Sequence, residues 1–333
     1  MAACAPKDTP RSLFFSHVYD RLDAGYARLA AAAGAQRDAV DQWCGDTTDA
    51  NHAAARAAFP ELALAWSAVE WLRLGPIVAD HRFERLFYWP DRGGRGRRQL
   101  IRLLQDPPSA GPMTTAVLAE KSVAVQGLPA LEYLLFGDAK PASVCRLAPA
   151  VAAQLAATSA ALAADWSAAA DLTAALGTDG ASLSSDRALA AVLQAADQHL
   201  KGMADYKIAA PLGDGEATAR PGLAPFAVWG QTAATLREAT TELTALFSGP
   251  FQELLPAASR YQGEALLREL ATAGTQLEQL ADSGSWSTLL EDARHRARLN
   301  YLQQPLLGGH ALLSETLSPA LNLTQGFNSA DGD

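Results

Sequence analysis

Phe14, Val18, Leu22, Tyr26 and Leu29 follow one another at steps of four and three residues, and the same step governs most of the chain. Apolar side chains so spaced share one face of an α-helix and need a partner surface to bury it. The segment 11–34 is therefore predicted as a first helix, with Leu13 on its stripe, and 38–45 as a short helix or loop carrying Trp43 and Cys44. A second helix is predicted over 49–74, burying Leu62, Ala65, Trp66, Val69 and Leu72, with N-cap chemistry in Asp46-Thr47-Thr48-Asp49 and a stop at Gly75-Pro76. Further helices are predicted over 141–167, 186–206, 226–248, 256–282 and 286–304, with a last segment at 308–320. No segment alternates as a strand does, and alanine and leucine outweigh β-branched residues. The expected fold class is all-α. A chain of 333 residues is long enough for more than one core, and the polar cluster GTDGASLSSD at 177–186 reads as the joint. Two up-and-down helical bundles packed side by side are expected, over 11–176 and 186–333.

Charge narrows the function. The formal net charge of −9 argues against a nucleic-acid partner, which would want a basic face, and is compatible with cation binding. One stretch departs from this balance. Residues 77–97 mix His81, Arg82, Arg85, Arg92, Arg95 and Arg97 with Phe83, Phe87, Tyr88 and Trp89. An excursion folded over the bundle is expected there, with a solvated basic rim suited to an anion such as a carboxylate-bearing ligand. Its Gly93-Gly94-Arg95-Gly96 run lacks the Gly-Lys-Ser/Thr sequel of a phosphate loop. The loop 208–225, rich in proline and glycine, is expected to spread over the surface.

The chemistry concentrates in Ser122–Asp138. Gly127 can release the chain from a preceding helix, and Pro129 fits the first turn of a new one. Leu128, Leu131, Leu134 and Leu135 then form a broad apolar face with Glu132 in its midst. A carboxylate so placed must find a partner, stay hydrated in a cleft or take up a proton. Two readings stay open, a structural Glu–Arg pair and a ligand-binding or catalytic carboxylate. A guanidinium is the natural partner for such a carboxylate, because its fork meets both oxygens, and Arg73 near the end of the second helix is the first candidate.

The stretch Gly127-Leu128-Pro129-Ala130-Leu131-Glu132 resembles the signature of imelysin-like proteins, usually Gly-x-His-x-x-Glu followed by an aromatic residue and leucines. Gly127 and Glu132 match, while Pro129 stands where the histidine belongs. The segments Ala65-Trp66 to Gly75-Pro76, Tyr88-Trp89-Pro90-Asp91 to Leu100, and the tail Gly326–Asp333 resemble the same family. The resemblance implies the imelysin-like fold and an exported protein linked to bacterial iron uptake, in a family classed with metallopeptidases. It directs attention to a cleft between the bundles with Glu132, Arg73, Trp66, Asp91, Arg97, Asn328 and Asp331 as candidate binding residues. Glu132 and Asp331 are the candidate metal ligands, for iron or another divalent cation. Without the motif histidine, no tight stoichiometric zinc or iron is expected at the Gly127–Glu132 turn, and peptidase activity is not the expected one. A binding or accessory protein is preferred. A carboxylate-dependent metal hydrolase and a structural partner of an outer-membrane complex are the alternatives.

Ala2-Ala3 before Cys4 resembles the end of a lipobox, followed by a tether through Pro10. With the signal region removed and Met1 added, Cys4 is the expected lipidation site, and the protein is expected in the periplasm, held to a membrane by that anchor alone. Periplasmic or outer-membrane iron-uptake components are the expected partners. Export also bears on Cys44 and Cys145, which an oxidising compartment would bridge, the alternative being two buried thiols.

Overall fold

A computed structural model describes residues 9–106, 111–177 and 181–323. Among them no β-strand occurs, and the protein is all-α. Helix α1 spans Pro10–Gly45. It opens with Thr9, whose hydroxyl accepts from the Ser12 N–H while Ser12 Oγ accepts from the Thr9 N–H, a reciprocal cap reinforced by Pro10. The separate element predicted at 38–45 is instead the last part of α1. Ala33, Gln36, Val40 and Trp43 continue the buried stripe across Gly34, so nothing breaks the helix. Leu13, predicted on the stripe, lies outside the buried face.

Helix α2 (Asp49–Val69) starts at the Thr48 cap and ends five residues before the predicted stop. Helices α3 (Arg95–Gln105) and α4 (Leu128–Phe136) carry the central segment. The helix predicted to open at Pro141 is divided into a turn, Pro141–Val144, and α5 (Ala148–Ser167). Pro149 lies in the first turn of α5, where its missing N–H ends the preceding turn without cost to the next. Cys44 and Cys145 form a disulfide at this joint, with Cα atoms 5.1 Å apart.

In the second half, α6 (Ser185–Gly202) runs on into a π-helical turn, Met203–Ala209. Helix α7 (Thr232–Phe247) begins later than predicted, after Pro225 and Gly230, whose φ of +86° leaves the helical region. Helices α8 (Arg260–Ala281) and α9 (Ala293–Ala311) follow, and the predicted last segment is π-helical from Leu312 to Leu317.

Helix α1 packs on α2 and α5, while α8 packs on α7 and α9, and α9 on α6. Helix α7 against α2, and Pro250–Leu254 against α1, join these sets into one continuous core. Charged pairs fix the seam. Arg21 grips Glu242 through two bonds of 2.7 and 2.6 Å, and Arg28 reaches both Glu61 and Glu238. The same seam brings the loop before α7 against α4, which places the site.

Candidate functional site

Close approach selects the glycine of the central motif. A Cβ on Gly127 would come within 2.4 Å of the Leu86 carbonyl oxygen and 2.7 Å of that of Arg85. The preceding residue holds this turn in place. Gln126, fully buried, donates through Nε2 to the carbonyls of Leu118 (3.1 Å) and Lys121 (2.8 Å) and accepts from Arg85 Nη1 at 3.1 Å. Helix α4 then starts with Pro129 in its first turn and buries Leu128, Leu131, Leu134 and Leu135.

Glu132 is 4 % exposed. Its Oε1 accepts a 2.7 Å hydrogen bond from the backbone N–H of Trp229, across the seam. Burial pushes its pKa up to about 7, against the opposing pull of the Trp229 and Val228 backbone N–H groups and the charge of Arg97. Arg73, the candidate partner, does not meet Glu132. Instead, the Arg73 guanidinium lies 4.1 Å from the centroid of the Phe83 ring and lines a different cavity. The physical reason is the early end of α2, which leaves Arg73 in non-helical chain and turns it away from α4. Backbone amides take the role assigned to the guanidinium.

Glu132 lies on the wall of a cavity of about 220 Å³ that α3, α4 and the 222–228 loop share. Pro129, Tyr133, Arg97 and Leu100 line one side, Leu223 and Val228 the other. Arg97 is an exposed residue whose guanidinium lies 5.1 Å from the Tyr133 ring centroid. Asp91 also lines the cavity, with its carboxylate engaged in building the turn. It accepts from the N–H groups of Gly96 (3.1 Å) and Arg97 (3.0 Å), capping the start of α3 and setting Arg97 in place. Trp89 donates from Nε1 to the Leu223 carbonyl at 3.0 Å, tying the 222–228 loop to the first half. Phe226 holds that loop at a φ of +55°, a conformation costly for a non-glycine residue, with its ring packed on Phe87 and Phe59. Trp66 is fully buried between Phe83 and Phe87 and belongs to the core behind the cavity. Of the candidate residues, the structure thus brings together Glu132, Asp91 and Arg97, and leaves Arg73 and Trp66 apart. Asn328, Asp331 and Cys4 lie outside the described residues.

The residues present do not fit a metal at this turn. Pro129 has no side-chain donor, the Glu132 carboxylate is already engaged by backbone N–H groups, the Asp91 carboxylate is committed to the N–H groups of Gly96 and Arg97, and the cation of Arg97 lies nearby. Among the described residues no group of three His, Cys, Asp or Glu side chains gathers as a ligand set. Sequence reasoning did not find the Trp229 N–H, since a backbone donor leaves no mark in side-chain pattern. It also passed over Gln126, although a lone amide beside Gly127 in an apolar run was a visible signal.

An all-α architecture with this acid-bearing turn at its seam defines an imelysin-like protein. The structure is similar to an imelysin-like protein from Psychrobacter arcticum, with a TM-score of 0.80, 22 % identity and coverage of 98 % of this chain and 100 % of that one. It also resembles a putative iron-regulated protein A precursor from Parabacteroides distasonis, with a TM-score of 0.56 and 14 % identity over 95 % and 97 % of the two chains. No match was found among curated proteins. The profile of the imelysin family, peptidase family M75, matches residues 22–313, and the chain belongs to that family.

Proposed function

We propose that this protein is a lipid-anchored, periplasm-facing binding or accessory protein of bacterial iron uptake, and that its ligand occupies the cavity over Glu132. The observation that carries the reading is a buried carboxyl group, balanced near neutrality, on the wall of a cavity that both halves of the chain line. Binding sites typically combine an apolar wall with a few convergent polar groups of perturbed pKa. Iron enters through the family and through the printed name of the Parabacteroides protein, an iron-regulated protein A precursor. Pro129 in the histidine position favours binding over hydrolysis.

The test is to purify the full-length protein from its native host and analyse what denaturation releases. An iron complex or small organic molecule, present in wild type and lost from Glu132→Ala, is the expected result. One equivalent of bare metal lost with the carboxylate would favour the hydrolase instead. A protein that releases nothing would favour a structural partner. Radiolabelled palmitate incorporated by the wild type and not by Cys4→Ser would support the anchor.

A further inference from the structure

A second cavity opens where α2 ends against α6, and its chemistry differs from that of the first. It has a volume of about 660 Å³, within the range of about 300–1,000 Å³ usual for small-molecule sites. In a chain with 36 acidic and 27 basic residues, this cavity is lined by Arg73, Arg92, Lys201 and Lys207 and by no aspartate or glutamate. Lys207 is buried and bonded to buried Glu70, and Lys201 pairs with Asp205. Arg73 and Arg92 form no ion pair among the described residues. Each lies over a ring, Phe83 at 4.1 Å and Tyr206 at 5.8 Å, so both guanidinium forks keep their hydrogen-bonding edges for a ligand.

The lining carries two further orphans. Trp71 is 3 % exposed, and its indole Nε1 has no acceptor. His199 is 9 % exposed, and its Nε2 has no partner. Burial, followed by the charges of Lys207 and Arg73, drives the His199 pKa well down, so its ring is neutral. The π-helical turn Met203–Ala209 supplies Lys207 and Tyr206, and such turns recur at functional sites. Trp89 lines both this cavity and the one over Glu132.

We propose that this cavity is a second binding site, specific for a small organic anion that joins a carboxylate or phosphate group to a flat apolar body. Arg73 and Arg92 take the anionic group, and the more open rings of Trp89 and Tyr206 take the body. The site is independent of the reading given for Glu132.

The probes are 1-naphthoate, phenyl phosphate and the uncharged 1-naphthylmethanol, titrated into the full chain by calorimetry and tryptophan fluorescence. Saturable binding of 1-naphthoate or phenyl phosphate at one per chain is expected, with the neutral alcohol weaker by about tenfold or more, the scale of a charge-assisted bidentate contact. Arg73→Gln combined with Arg92→Gln should weaken the anions by a similar factor with the helical circular dichroism unchanged. Arg102→Gln, on an exposed side chain of α3, should leave them unaffected. If the double variant fails to fold, Arg92→Gln alone serves, since Arg92 is exposed. Anion affinities weaker than about 1 mM, equal affinity for the alcohol, or binding indifferent to both arginine variants would each overturn the proposal.

Discussion

The carboxylate of Glu132 is held by the backbone N–H of Trp229 at 2.7 Å, so the acid of the family motif is gripped by the opposite half of the chain. Between the pKa of about 7 in the fold and 4.5 in the unfolded chain, the folded protein keeps a proton that the unfolded chain has released. This group's contribution to stability therefore falls as pH rises through that window, and the cost of the ionised form is fully felt above it. Glu132→Gln keeps a carbonyl oxygen for the Trp229 N–H and removes the titration. Its stability relative to wild type should improve on going from below pH 4.5 to above pH 7, by on the order of 3 kcal/mol. Urea unfolding at the two pH values measures this, and a constant difference would show that the carboxyl group titrates normally.

Lys207 and Glu70 are a buried pair far apart in sequence, Lys207 being 6 % exposed and Glu70 3 %. Burial lowers the Lys207 pKa, and Glu70 opposes that shift. Glu70→Ala leaves the cation without its partner and should destabilise the protein by about 3–5 kcal/mol. Adding Lys207→Met should recover much of the loss. If Glu70→Ala unfolds at the wild-type temperature, the pair is hydrated and contributes little.

The disulfide between Cys44 and Cys145 spans 101 residues. In the chain-entropy model a loop of this length is worth about 4.7 kcal/mol, and typical measured values are about 2–4 kcal/mol. Cys44→Ser with Cys145→Ser should therefore lose stability in that lower range. Unfolded, unreduced protein should show no thiol from either residue. Two thiols with an unchanged melting curve would contradict the bridge.

Pro129 removes a donor at the place where the family motif usually carries histidine. Pro129→His introduces imidazole beside Glu132, and zinc or ferrous iron should bind the variant more tightly than the wild type, which should bind weakly. Calorimetric titration distinguishes the two, and equally tight binding by both would place a metal site elsewhere.

The sequence revealed the helices far better than their ends. The stripe from Phe14 to Leu29 declared α1, whereas its continuation through Gln36 and Trp43 was hidden by Gly34 and a buried amide. Pro149, which divides the helix predicted over 141–167, was visible but outweighed by the apolar period around it. At the site, burial of Glu132 and the placing of Asp91 and Arg97 beside it were legible from the apolar face of α4 and the matching segments. The partner was not, because a carboxylate in an apolar run calls for donors without saying whether side chain or backbone supplies them. Glu70 and Lys207 were missed for a related reason. They lie 137 positions apart, and only the tertiary fold, which sets the residue capping the end of α2 beside the π-helical turn, brings them together, although one lysine in the apolar run Met203–Leu212 was a signal.

The ligand site proposed at the cavity depends on Glu132 being a buried carboxyl group with its pKa near neutrality. A carbon-13 NMR titration of glutamate-labelled protein, with the resonance assigned by its absence from Glu132→Gln, tests this most directly. A midpoint near 7 is expected for Glu132. A midpoint in the ordinary glutamate range near 4.3 would show a solvated carboxylate and contradict it.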